Sequence, residues 1–161
     1  MAIDDTQFQL VTFQLGNEVY GVDILDVQEL VKAQTVRAIP HAPYYVEGIF
    51  NLRGEVIPIM SLHKRFQIDK LSYENAFDAE LNRGFIILDI DNIKISIIID
   101  RIVRVISIDP VTIKPPPQML TGIGSEYIHG IVQDENNYLI ILDARKLFDS
   151  KELQKLLGVE V

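Results

Sequence analysis

The 161-residue sequence has no cysteine, which excludes a disulfide framework or a thiolate metal site and suits a reducing compartment. No apolar run approaches the roughly 20 residues that carry a helix across a bilayer. The start, Met1-Ala2-Ile3-Asp4-Asp5, is acidic where a secretory leader would be basic. No direct membrane insertion is expected, and the chain reads as soluble and cytoplasmic. Positive charge is also scarce. Fifteen Lys and Arg against 23 Asp and Glu give a net charge of −8, which argues against nucleic acid, whose binding rests on phosphate neutralisation.

Signatures of chemistry are missing too. His41, His63 and His129 stand in unrelated contexts without HxH or HExxH spacing, so they read as surface histidines, and neither a metal nor a cofactor is expected. Gly122-Ile123-Gly124-Ser125 lacks the third glycine and the lysine of a phosphate loop. Asp89, Asp91 and Asn92 lack the glycine of a calcium loop, and a hairpin turn explains them better. No nucleophile occupies an elbow motif. No catalytic residue is assigned and no enzyme is expected. The basic run His63-Lys64-Arg65 reads as a solvated helix end.

What is present is an apolar, largely β-branched chain, 48% hydrophobic, of a size for one domain or two small ones sharing a core. It repeats itself. Tyr45 to Phe66 aligns without a gap with Tyr127 to Phe148, 82 positions later, pairing Gly48 with Gly130 and Ile49 with Ile131. Leu10 to Val31 runs against Phe85 to Ile106 at an offset of 75, which pairs Val27 with Ile102 and Leu30 with Val105. Such self-similarity implies two copies of one β-rich unit.

In chain order, hairpins are expected at Phe8 to Val22 around Gly16-Asn17, at Gly48 to Met60 around Arg53-Gly54, at Phe85 to Ile99 around Asp91-Asn92, and at Tyr127 to Leu142. Asp23 is placed as the cap of a short helical turn, because Ile24, Leu25, Val27 and Leu30 do not alternate like a strand. One helical turn is expected from Pro43, and Pro58 is expected on an edge or at a bulge. Short helices are expected at Ser61 to Phe66 and Asp143 to Phe148, a polar loop at Gln67 to Asn82, and a C-terminal helix at about 149–158.

The segments FQLGNEVYGVDILDVQEL (residues 13–30) and IPHAPYYVEGIFNLRGEVIPIMSL (residues 39–62), with IIIDRIVRVISI and SEYIHGIV in the second copy, resemble the CheW family of chemotaxis coupling proteins. The resemblance runs from about Phe8 to Phe148. It implies a mainly β fold of two SH3-like five-stranded barrels with a shared hydrophobic core, one CheW-like domain over 1–161. The subdomains would be about 14–81 and about 82–148, the second possibly with the N-terminal strand. It implies a non-catalytic adaptor, recruited to membrane-bound receptor arrays, whose partners are the cytoplasmic hairpin tip of chemoreceptors and the regulatory domain of the histidine kinase CheA. The receptor-facing residues it implies are Val27, Glu29, Gly48, Arg53, Ile102, Val105 and Gly130. Ser96, Arg101 and Ser61 depart from the family's usual glycine, small residue and aspartate. Two alternatives stay open: a coupler serving another output, and a small-barrel ligand-binding protein or enzyme using the Gly122–Gly124 loop with Glu126 and His129.

Overall fold

The computed structural model describes residues 8–69, 71–72, 75–116, 125–134 and 137–148. The Gly122–Gly124 loop and the expected C-terminal helix lie outside them. The strands are β1 Phe8–Leu15, β2 Glu18–Asp23, β3 Val27–Lys32, β4 Val46–Leu52, β5 Glu55–Met60, β6 Gly84–Ile90, β7 Ile93–Ile99, β8 Arg101–Ile108, β9 Ile128–Asp134 and β10 Asn137–Leu142. Among the described residues three short α-helices accompany them, α1 Leu62–Phe66, α2 Ala76–Asn82 and α3 Ala144–Leu147. The hairpin turns follow from residues that tolerate positive φ. Asp91 and Asn92 stand at φ +52° and +69°, and Arg53 and Gly54 at +51° and +89°.

Two five-stranded sheets result, ordered β8-β1-β2-β10-β9 and β3-β6-β7-β5-β4. The repeat maps β1 to β5 onto β6 to β10, and under that mapping one order becomes the other. Each copy therefore gives its first hairpin to the other copy's sheet. The sheets do not divide the chain at residue 81, as the expected subdomains do: one sheet takes strands from residues 27–99, the other from 8–23 and 101–142. At the far edge of each sheet the chain bridges back. Arg37 and Ile49 exchange backbone hydrogen bonds of 2.8 and 2.9 Å, as do Lys114 and Ile131. These are repeat-equivalent places on β4 and β9.

The apolar residues sort into three cores. Phe50, Leu52, Ile57, Ile59, Phe85 and Ile87 fill one sheet's own interior, and Leu10, Ile108, Val132, Leu139 and Ile141 fill the other's. A larger cluster takes Val11, Phe13 and Leu15 from β1 and Ile86, Leu88, Ile95 and Ile97 from β6 and β7, so it joins the two sheets. Strand β6 is apolar on both faces because it serves two cores. Ser96 is the exception within this packing. Its side chain is fully buried and its hydroxyl has no hydrogen-bond partner among the described residues. Ser96→Ala is expected to raise unfolding stability by about 1 kcal/mol, since an unpaired buried hydroxyl costs about that much, as read from a urea transition.

Several local expectations change. The turn capped by Asp23 covers only Ile24–Asp26, with Asp23 Oδ1 accepting from Leu25 N at 3.0 Å, and Val27 already begins a strand. The stretch at Pro43 is a single hydrogen-bonded turn, Val46 N donating to Pro43 O at 2.9 Å. Helix α2 occupies the expected polar loop, and Asn75 caps it by accepting from Asp78 N. Strand β5 is internal, but its ladder with β7 pairs only Ile59 and Met60, so Pro58 sits just outside it. The run His63-Lys64-Arg65 is not a solvated face. Only Lys64 is exposed. His63 is 4% exposed, its Nε2 lying 2.8 Å from Asp100 Oδ2. The Arg65 guanidinium lies 4.1 Å from the Tyr45 ring centre and 4.7 Å from that of Tyr127, two repeat-equivalent tyrosines.

Burial pushes the Asp100 carboxyl up, but hydrogen bonds from His63, Gly16 N and Leu71 N outweigh it and hold the group below the usual carboxylate value. A depressed folded value contributes stability that is present in full above about pH 4, the unfolded value, and is lost as pH falls through the lower folded one. Urea midpoints measured from neutral pH downward should therefore fall along an acid limb. Asp100→Asn should lower the neutral midpoint and flatten that limb.

Candidate functional site

Strands β3 and β8 are equivalent edge strands of the two sheets, and each carries a bulge at the equivalent place. On β8, Phe13 pairs with Ile102 and Thr12 with Arg104, leaving Val103 as the extra residue. The Thr12 hydroxyl holds the bulge, donating to Arg104 O at 2.6 Å and accepting from Arg104 N at 3.1 Å. On β3, Val27 pairs with Leu88 and Glu29 with Ile87, leaving Gln28 over. An extra residue reverses the alternation of faces beyond it. Ile102 and Val105, three apart, therefore lie on one face, opposite the core residues Phe13 and Val11. Val27 and Leu30 likewise share a face, opposite Leu88 and Ile86.

Both pairs thus stand on the side of the central core but at its rim. Ile102 is 41% exposed, Leu30 47% and Val105 52%. Val27 is half-buried and packs against the core. Aliphatic side chains left this open at strand edges are of the kind that a partner helix can cover. Leu30 belongs with them. The repeat alignment pairs it with Val105, and that was the signal available for including it.

Of the other expected positions, Glu29 lies on the opposite face of β3 from Val27, beside Ile87, and the Arg53 guanidinium at the β4–β5 turn forms an ion pair with its carboxylate. The turn is fixed locally, with Asn51 Oδ1 accepting from Gly54 N at 2.9 Å. The pair is exposed, so its worth to stability is under about 1 kcal/mol. Gly48 and Gly130 are buried. A Cβ on Gly48 would lie 2.1 Å from Arg37 O, and one on Gly130 would lie 2.3 Å from Ile113 Cγ2 and 2.9 Å from Lys114 O. Both therefore sit where the chain bridges back onto the sheet edge, and they present no side chain to a partner.

His129 lines a cleft of about 650 Å³ with Asp23, Asp26, Asp89 and Asp143. Burial, then the neighbouring Asp23, pushes the Asp26 carboxyl up, with Arg145 opposing. Among the described residues no three His, Asp or Glu side chains are grouped to hold a metal ion.

The model of the CheW-like domain matches residues 9–152. The chain belongs to the CheW family. The chemotaxis protein CheW of Treponema pallidum is 58% identical over 156 residues, 97% of this chain and 91% of that protein. The chemotaxis protein CheW of Klebsiella aerogenes is 32% identical over 145 residues, 90% of this chain and 84% of that protein. The crystal structure of the scaffolding protein TtCheW from Thermoanaerobacter tengcongensis superposes with a TM-score of 0.79 at 34% identity, covering 94% of this chain and 96% of that one. The CheW resemblance implies a mainly β fold of two five-stranded barrels; the structure has two five-stranded sheets, and this mainly β fold is that of the family. No helix among the described residues is long and apolar enough to cross a membrane.

Proposed function

We propose that the protein is a non-catalytic adaptor of bacterial chemotaxis that couples chemoreceptors to the histidine kinase CheA, acting in the cytoplasm and reaching membrane-bound receptor arrays through those partners. The observation that carries the reading is the pair of equivalent bulges, which puts Val27 with Leu30 on one face of β3 and Ile102 with Val105 on the equivalent face of β8. A receptor hairpin is helical, and a helix laid on such a surface would bury apolar anchors at i, i+3 and i+4. Arg53, exposed and already paired with Glu29, is suited to a partner carboxylate. Membership of a family whose relatives include chemotaxis proteins and a scaffold supports the role.

Calorimetric titration with a soluble receptor hairpin fragment and, separately, with the kinase's regulatory domain tests the reading. Saturable binding to both is the expected result. Arg53→Ala should weaken the receptor arm about tenfold while changing the unfolding free energy from urea transitions by no more than the ~0.5 kcal/mol an exposed ion pair contributes. No heat from either partner at about 100 µM, where complexes of roughly 10 µM register, would reject the adaptor role for those partners.

A further inference from the structure

The chain passes from one sheet to the other in two repeat-equivalent places, and the two are built differently. Between β2 and β3 it crosses through Ile24–Asp26, none of whose residues is buried, with Leu25 86% exposed. Between β7 and β8 it crosses through one residue, Asp100, which the repeat aligns with Leu25 and which is fully buried. Asp100 Oδ2 accepts from Gly16 N at 2.7 Å in the β1–β2 turn, from Leu71 N at 3.1 Å and from His63 Nε2 at 2.8 Å on α1. Arg83 Nε, just before β6, lies 3.7 Å from the other carboxylate oxygen. Asp100 N donates to Gln14 O at 3.0 Å, and the next residue's Arg101 Nε donates to Gln14 Oε1 at 2.5 Å.

We propose that Asp100 is a positioning residue that locks β8 to the opposite sheet, so that the apolar rim has a fixed half on β8 and an adaptable half on β3. A carboxylate with this many donors in a dry site holds its neighbours in one arrangement, because losing any donor leaves a buried charge short of a partner. There is little slack around it. A Cβ at Gly16 would already meet Asp69 O at 2.5 Å, so the turn and the segment after α1 are in contact without help from side chains. At the β3 crossing Ile24 and Val27 pack against the central core, but among the described residues no buried carboxylate stands there, the exposed Leu25 occupying the place of Asp100.

Amide hydrogen exchange on the full chain tests this without any partner, because exchange reads the free energy of local opening. In the wild type, amides of β8 that pair with β1 should exchange about tenfold more slowly than those of β3 that pair with β6. Asp100→Asn should remove that difference and expose the Gly16 and Leu71 amides, while β6–β7 pairing amides stay as they were. Should Asp100→Asn fail to fold, His63→Gln carries the same comparison, with the loss confined to Gly16, Leu71 and β8. Equal protection of β3 and β8 in the wild type, or an unchanged β8 in a folded variant, would overturn the proposal. A second arm rests on the adaptor reading: Asp100→Asn should bind the receptor fragment more weakly than the wild type. If the wild type does not bind at all, that reading fails while the exchange result still decides this one.

Discussion

Gly48→Ala is expected to destabilise the fold by about 3 kcal/mol, combining roughly 1–3 for strain in an unfavourable backbone region with a similar overpacking cost. The backbone there has φ +146°, and the added methyl would sit 2.1 Å from Arg37 O and 2.6 Å from Arg37 C. Those are backbone atoms held by the Arg37–Ile49 bridge, so no side-chain rotation relieves the contact. Urea unfolding of the variant measures the effect. Gly130→Ala meets a side-chain methyl first, at Ile113 Cγ2, and only then Lys114 O at 2.9 Å. A smaller loss is expected there, because Ile113 can turn away. The comparison decides how a partner-binding defect at Gly48 should be understood. If Gly48→Ala keeps its stability but loses receptor affinity, the glycine presents its backbone to the receptor. If stability and affinity fall together, the glycine acts by letting the chain close the sheet edge.

The hairpins were legible because period-two alternation and turn chemistry agree: Asp91-Asn92 and Arg53-Gly54 fall where positive φ is needed. The repeat was legible as well, and with it the number of β units. Which copy pairs with which was not, because self-similarity says the units are alike and is silent on whether a hairpin stays with its own copy. Strand β3 was hidden by its bulge. With Gln28 left over, Val27 and Leu30 fall three apart on one face, and that spacing imitates a helix. The same device on β8 explains why the resemblance could name Ile102 and Val105 together although alternation alone would put them on opposite faces. The burial of His63 and Arg65 is hidden in the sequence for another reason. On a helix, adjacent side chains diverge by about 100°, so a basic run of three does not share one face. Here His63 turns to the buried Asp100, Lys64 to Glu47 at the surface and Arg65 to the two tyrosines.

Val105→Asp should reduce affinity for the receptor hairpin roughly a hundredfold, or about 3 kcal/mol, the scale of an apolar anchor replaced by a charge that the partner must desolvate. Its folded stability should change little, because Val105 is 52% exposed on an edge strand and the carboxylate stays hydrated in the free protein. Val27→Asp asks a different question: Val27 packs against the central core, so a charge there is expected to weaken the fold as well as the surface. Taking the two together separates the contributions. Titration calorimetry beside urea unfolding should show Val105→Asp losing binding alone and Val27→Asp losing both. Leu30→Asp, at the position equivalent to Val105, should resemble Val105→Asp if the receptor spans both edges of the rim. If Leu30→Asp binds like the wild type while Val105→Asp does not, the receptor engages β8 alone, and the equivalence of the two edges belongs to the fold and not to the interface.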